Sequence, residues 1–230
     1  MGTVDLLLLH GALGSMSQFS ALIPFLEDKY RIHTLDFEGH GSSPPKDRLF
    51  SGEHFGENVL DYLDTNELEH VNVFGYSMGG HVALYLARKW PERIHSIFTL
   101  ATKFLWTPEI AAHEITFLDP DTIQEKAPRF AMVLQQRHTA SGWKHVLEKT
   151  KDMFLRLGED NILKEQDFAQ IPHRVRLSVG DRDNMVSIEE TIKIYRLLPQ
   201  SELQVFPATS HPLEKISLPL LSQSLLDFFG

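Results

Sequence analysis

Short apolar runs alternate along the chain with longer segments in which apolar residues recur at helical spacing. Val4–Leu9 predicts a fully buried strand, and similar runs predict five more strands at 31–36, 71–76, 94–101, 174–179 and 202–206. Helical spacing is found at 17–27, 52–63, 80–90, 188–198 and 218–229. This alternation is typical of a parallel sheet covered by helices on both faces, so we predict an α/β fold with a mainly parallel, six-stranded sheet.

The stretch 103–172 breaks this alternation. It lacks strand patterns and contains several amphipathic helical patterns, around Pro108, Pro120, Pro128 and Gly142. A segment inserted between two strands of such a sheet lies above their carboxyl ends, where open α/β folds bind ligands. We therefore predict a core formed by residues 1–102 and 173–230, with 103–172 as a helical cap over the site.

Composition and charge narrow the classes of function. The 230 residues include 22 Lys and Arg against 31 Asp and Glu, a net charge of −9 that opposes binding to nucleic acid or to anionic membranes. The chain has no Cys, which excludes disulfides and thiol nucleophiles. The first apolar run has no basic flank, and no run approaches the ~20 apolar residues of a membrane helix. We expect a cytoplasmic protein without nucleic-acid or membrane partners.

The pentapeptide Gly75-Tyr76-Ser77-Met78-Gly79 lies between a predicted strand and a predicted helix. In this context a serine can occupy a sharp turn that exposes its hydroxyl above the sheet edge. A G-x-S-x-G string alone is weak, because it arises by chance in roughly one chain of this length in twenty. A helix-capping serine is the structural alternative. The flanking strand and helix favour a nucleophile.

Three other segments follow predicted strands: His10 to Gly14, Gly180 to Asp183, and Ser210-His211-Pro212. The carboxyl ends of parallel strands meet at one edge, so we expect these segments to lie near Ser77. The chain order serine, acid, histidine is typical of hydrolases with a nucleophile elbow. His211 is the candidate base, and spacing alone leaves Asp183 and Asp181 open as its carboxylate partner. A surface histidine and turn-forming aspartates are the structural alternatives.

With these motifs the sequence resembles the α/β-hydrolase fold superfamily, in its branch of small single-domain serine hydrolases with a helical cap. The motifs are His10-Gly11 with Gly14, and the segments 36–43, 75–80, 180–186 and His211. The resemblance implies that Asp183 is the acid of the triad, and that the backbone N–H groups of Ala12 and Met78 form the oxyanion hole. The superfamily usually begins with an antiparallel hairpin, for which the nine residues before His10 leave no room, so we expect the sheet to lack it.

Three positions depart from the resemblance. Glu38 stands where Arg or Pro is frequent, and Tyr76 stands where His is common. The sequence also resembles small cap-bearing enzymes that eliminate pyruvate in menaquinone synthesis, which usually carry Arg where this chain has His81. The sequence assigns no role to these three residues.

The leading hypothesis is a serine hydrolase that cleaves small or medium carboxylic esters through an acyl-enzyme, with no cofactor and no metal. The alternatives are a carbon–carbon bond hydrolase or a menaquinone-pathway-like lyase that uses the same triad, and a non-catalytic ligand-binding protein on the same fold. The apolar side chains of 103–172 favour a small-molecule substrate with an apolar acyl or aromatic group. These side chains are Phe104, Leu105, Trp106, Phe117, Phe130, Met132, Leu134, Trp143, Met153 and Phe154. Oligomeric state stays open, with a monomer as the working expectation.

Overall fold

The computed structural model describes residues 4–230, and its centre is one six-stranded sheet. All neighbouring strands run parallel, in the order β2-β1-β3-β4-β5-β6. The predicted α/β fold with six parallel strands is therefore confirmed. The strands are β1 (Val4–Leu9), β2 (Tyr30–Thr34), β3 (Val71–Tyr76), β4 (Ile94–Leu100), β5 (Arg174–Gly180) and β6 (Ser201–Phe206).

Nine α-helices occur within residues 4–230. Four of them follow or flank the strands: α1 (Gly52–Thr65), α2 (Met78–Lys89), α8 (Ile188–Leu197) and α9 (Leu218–Phe229). The other five lie between β4 and β5: α3 (Pro108–Glu114), α4 (Pro120–Lys126), α5 (Pro128–Arg137), α6 (Trp143–Glu159) and α7 (Glu165–Phe168). The division into core and cap stays a prediction, but this stretch contains no strand. None of the helices in the described part of the chain is long and apolar enough to span a membrane.

The inner strands of the sheet are buried on both faces, and successive side chains of a strand point to opposite faces. Leu7 and Leu9 pack in a cluster with residues of α1, α2 and α8. Leu6 and Leu8 pack in a second cluster with residues of α9. This explains why Leu6 to Leu9 form a continuous apolar run rather than an alternating one.

The predicted helix at 17–27 is wrong. The chain there forms two short 3₁₀ turns, Met16–Phe19 and Ile23–Phe25. Pro24 accounts for the difference, because its ring removes a backbone donor and crowds the carbonyl four residues earlier. The apolar spacing still buries Phe19, Leu22 and Leu26 against the sheet.

Two strand ends also differ from the prediction. β2 ends at Thr34, so residues 35 and 36 belong to the loop that follows it. Ala101, predicted as the last residue of β4, has a φ of 54° and breaks the extended backbone. Both differences lengthen the loops at the carboxyl edge of the sheet, where the candidate site lies.

Candidate active site

Ser77 lies on a sharp turn between β3 and α2, with φ 51° and ψ −117°. This backbone conformation is strained for a residue with a side chain. The flanking glycines make the turn possible. A Cβ on Gly75 would lie 2.5 Å from the backbone of Gly80, and a Cβ on Gly79 would lie 2.2 Å from the carbonyl oxygen of Leu9. The elbow predicted from the pentapeptide thus has its physical basis in close backbone contacts.

The structure brings Ser77, His211 and Asp183 together. The Oγ of Ser77 lies 3.4 Å from Nε2 of His211, and Nδ1 of His211 lies 2.8 Å from Oδ2 of Asp183. The Asp183 side chain is fully buried. Its other oxygen accepts backbone N–H bonds of 2.8 Å from Met185 and from Val186. The arrangement can orient the imidazole with its proton on Nδ1 and a bare nitrogen toward the serine hydroxyl.

Asp181 does not contact His211, so the structure distinguishes the two aspartates that spacing alone left as candidate partners of the imidazole. It is exposed, and its Oδ1 accepts the backbone N–H of Thr209 at 3.0 Å. Hydrogen bonds from backbone N–H groups lower the pKa of its carboxyl, so it is charged near neutral pH. Asp181 therefore holds the loop that carries His211, and Asp183 contacts the imidazole.

The two predicted oxyanion donors also line the cleft beside Ser77. Met78 is the first residue of α2, where a helix leaves its N–H groups without intrahelical acceptors. Ala12 lies in the turn closed by the bond from Gly14 N–H to Gly11 O, of 3.0 Å. Both N–H groups are therefore candidates for binding a negatively charged oxygen, and this role stays a prediction.

Tyr76 is a residue whose importance the sequence did not reveal. Its hydroxyl donates a 3.0 Å hydrogen bond to the backbone carbonyl of His211. Burial raises the pKa of the phenol, so the hydroxyl keeps its proton. The ring also packs against Gly11, where an added Cβ would lie 2.9 Å from it. Tyr76 thus links three of the predicted loops.

Arg137 and His138, at the end of α5, tie the inserted helices to the loop that contains Ala12. Nη1 of Arg137 lies 2.8 Å from the carbonyl oxygen of Leu13, and Nε2 of His138 lies 3.0 Å from the same oxygen. The backbone N–H of Gly41 donates to Nδ1 of His138 at 3.1 Å. Burial lowers the pKa of His138 to about 4, so its ring is neutral and can donate at one nitrogen while it accepts at the other.

His10 is a buried structural residue of the same region. Its Nδ1 donates to the carbonyl of Gly11 at 2.8 Å, and its Nε2 accepts the N–H of Phe37 at 3.2 Å. Burial lowers the pKa of His10 to about 3. A neutral His10 therefore connects the loop after β1 to the loop after β2.

Glu38 also has a structural explanation. Its buried carboxylate accepts hydrogen bonds of 2.9 and 3.0 Å from Nε of Arg48 and one of 2.9 Å from Asn58 on α1. The ion pair raises the pKa of Arg48. Glu38 thus fixes the loop after β2 to α1.

The cleft above Ser77 holds about 530 Å³ of unfilled space, counting its open mouth. Its inner walls are mainly apolar: Val82, Trp106, Met153, Phe154, Leu157, Met185 and Val186. Of the apolar residues predicted for the cap, Trp106, Met153 and Phe154 line this cleft. Phe117, Phe130 and Met132 are exposed instead.

Comparisons with known proteins agree with this architecture. The sequence is 36% identical over 99 residues to a pimeloyl-acyl-carrier-protein methyl ester esterase of Aeromonas hydrophila, a match that covers 43% of this chain and 37% of that protein. It is 28% identical over 163 residues to a pyrethroid hydrolase of Sphingobium wenxiniae, covering 67% of this chain and 56% of that protein. The chain thus matches less than two thirds of the length of these curated relatives.

A solved structure, the 2-hydroxy-6-oxo-6-phenylhexa-2,4-dienoate hydrolase of a Rhodococcus species, superimposes with a TM-score of 0.80 at 20% identity. The superposition covers 99% of this chain and 90% of that one, and at this identity it shows a shared fold. The family model for the alpha/beta hydrolase fold matches residues 6–137, more than half of the chain. The chain therefore belongs to the alpha/beta hydrolase fold family.

Proposed function

We propose that this protein is a serine hydrolase that cleaves carboxylic esters of small or medium size. The observation that carries the proposal is the series of contacts from Ser77 through His211 to the buried Asp183, of which Ser77 and His211 line a mainly apolar cleft. The names of the two curated relatives, an esterase and a pyrethroid hydrolase, support hydrolysis as the reaction and the ester as the target.

The proposed reaction begins when Oγ of Ser77 attacks the ester carbonyl carbon while Nε2 of His211 takes its proton. Asp183 orients the imidazole and stabilises its charged form. The tetrahedral intermediate collapses, His211 gives the proton to the leaving alcohol, and an acyl-enzyme remains. His211 then takes a proton from water as the water attacks the acyl carbon, and returns it to Ser77 when the carboxylic acid leaves.

Negative charge develops on the carbonyl oxygen in both tetrahedral steps. We assign its stabilisation to the backbone N–H groups of Ala12 and Met78, which flank Ser77 at the cleft. Loss of one such donor typically lowers kcat by about 10²–10³-fold. Because the donors are backbone groups, substitution of these side chains by others of similar size leaves them in place.

The proposal includes a cap function for residues 103–172. Trp106 precedes α3, Met153 and Phe154 lie on α6, and all three line the same cleft as Ser77. A wall of this kind excludes water and binds apolar groups. We therefore propose an uncharged ester with an apolar acyl or aromatic group as the substrate.

Labelling with a fluorophosphonate probe tests the nucleophile directly. We expect mass spectrometry to find the adduct on Ser77, and Ser77→Ala to lose both labelling and hydrolysis of p-nitrophenyl butyrate while its circular dichroism is unchanged. Ser20→Ala, at an exposed position, is the control and should behave like the wild type. Ester turnover by Ser77→Ala would refute the mechanism. A folded wild type that neither reacts nor hydrolyses esters would indicate a binding protein.

A further inference from the structure

His81 lies in the wall of the cleft, one helical turn after Ser77, and the proposed reaction does not use it. Its backbone N–H is 3.3 Å from the carbonyl oxygen of Ser77. The side chain is buried, with 6% of its surface exposed, and it lines the same cleft. A buried polar ring in a mainly apolar wall needs hydrogen-bond partners, because burying an unpaired polar group costs free energy.

Asn161 determines which nitrogen of His81 carries the proton. The Oδ1 of Asn161 lies 3.2 Å from Nε2 of His81 and also accepts the N–H of Leu163 at 3.2 Å. The Nδ2 of Asn161 donates to the carbonyl of Phe104 at 2.8 Å, which fixes the orientation of the amide. His81 therefore donates through Nε2, and its Nδ1 is a bare acceptor.

The ring is neutral because burial lowers the pKa of His81 to about 4. Within residues 4–230, the only hydrogen bond of its side chain is the one to Asn161. Nδ1 lies on the side of Gly52, 3.9 Å from the position that a Cβ would take there, and Gly52 also lines the cleft. The cleft therefore offers a hydrogen-bond acceptor separate from the serine and its histidine.

Lys103, the cationic residue of the cleft wall, does not serve as a partner for a substrate anion. Its Nζ donates to the carbonyl of Met185 at 2.7 Å and lies 3.5 and 3.9 Å from the carboxylates of Glu114 and Glu190. Two carboxylates thus compensate one ammonium group. Neither Lys103 nor the bare Nδ1 of His81 favours an anionic substituent, and the mainly apolar walls of the cleft disfavour a charged ammonium group.

We propose that the substrate carries a neutral hydrogen-bond donor, a hydroxyl group, that binds Nδ1 of His81 close to the scissile ester. This inference rests on the proposed esterase function for the position of the ester, and it adds the class of substrate: a hydroxylated ester. Ser77 and His81 line the same cleft. The hydroxyl therefore lies on the part of the substrate that shares this cleft with the ester, in the acyl or in the alcohol part.

Binding to Ser77→Ala tests the inference without catalysis. Titration calorimetry would compare methyl 3-hydroxyhexanoate with methyl hexanoate and with methyl 3-methoxyhexanoate, which can accept but not donate a hydrogen bond. A parallel pair, 3-hydroxypropyl hexanoate and butyl hexanoate, tests the alcohol part. We expect the hydroxylated ester of at least one set to bind about three- to tenfold more tightly than its counterparts, as one neutral hydrogen bond provides. The comparison needs no substitution at His81, so misfolding of a variant cannot obscure it.

Substitution of His81→Leu in the Ser77→Ala background should then abolish the preference, measured as the ratio of affinities within each set. Equal affinity within both sets, preference for the methoxy ester, no binding of any of these esters, or a preference that survives His81→Leu would each overturn the inference. Failure of the proposed function has a different signature, because it shows as absent labelling of Ser77 in the wild type, whatever the binding preference of the Ser77→Ala protein.

Discussion

Substitution of Tyr76→Phe tests whether the serine turn positions the histidine loop. The phenol hydroxyl donates a 3.0 Å hydrogen bond to the carbonyl of His211, whereas the ring packs against Gly11. Phenylalanine keeps the ring and removes the hydrogen bond. We expect a lower kcat at an unchanged KM, because the imidazole loses part of its support and the walls of the cleft do not change.

The structure limits the size of this effect. One neutral hydrogen bond contributes about 0.5–1.5 kcal/mol, and 1.36 kcal/mol corresponds to a tenfold change in rate. His211 also keeps its 2.8 Å contact with Asp183, and its loop keeps the 3.0 Å bond from Arg182 N–H to Thr209 O. We therefore expect kcat to fall by about two- to tenfold.

Steady-state hydrolysis of p-nitrophenyl butyrate by the two variants Tyr76→Phe and Tyr30→Phe measures this effect. Tyr30 is the matched control, since within the described residues its buried hydroxyl has no hydrogen-bond partner. Tyr30→Phe should leave kcat unchanged. The reasoning is refuted if Tyr76→Phe keeps the wild-type kcat, or if both variants lose activity to the same extent.

Three further predictions follow from single contacts. Asp183→Asn should lower kcat by about 10⁴-fold, because an amide no longer holds His211 in the required tautomer. Asp181→Asn should keep kcat within a few-fold of the wild type. Equal losses of kcat in steady-state kinetics would contradict the assignment of Asp183. Glu38→Gln should lower the free energy of unfolding by about 1–2 kcal/mol, because Arg48 loses a charged partner but stays partly exposed and keeps its contact with Glu57. Calorimetry should show a Tm about 2–8 °C lower, and an unchanged Tm would refute the role of the ion pair. The pKa of His138 is about 4 in the folded state, against 6.5 for an unperturbed histidine. Between these pH values the unfolded state therefore binds more protons than the folded state. The free energy of unfolding thus falls as the pH falls through this window. His138→Gln should therefore reduce the pH slope of the free energy of unfolding by up to about 1.4 kcal/mol per pH unit in urea titrations between pH 5 and 7, and an identical slope would contradict it.

The sheet could be predicted from sequence because its inner parallel strands are buried on both faces and are mainly apolar. Val71–Tyr76 is an example, since all six of its residues are buried. The segment 17–27 has the same apolar spacing as a helix, yet Pro24 in its interior favours short turns. Periodicity identifies the buried face, whereas the backbone hydrogen bonds decide the type of element.

The candidate site was accessible to sequence reasoning where its residues follow strands, as Ser77, Asp183 and His211 do. The supporting contacts were not. Tyr76 bonds to a carbonyl 135 residues away, and Arg137 to one 124 residues away. No local pattern specifies such pairs, because they depend on how the loops and the inserted helices pack in three dimensions.

The backbone conformation of Ser77 lowers the stability of the fold, whereas its hydroxyl is required for the proposed reaction. A positive φ in this region costs an L-residue about 1–3 kcal/mol, a cost that glycine largely avoids. Ser77→Gly should therefore be more stable than the wild type and inert. Selection of a variant library for heat tolerance alone would enrich this substitution, so directed evolution of the protein must screen for turnover in every round.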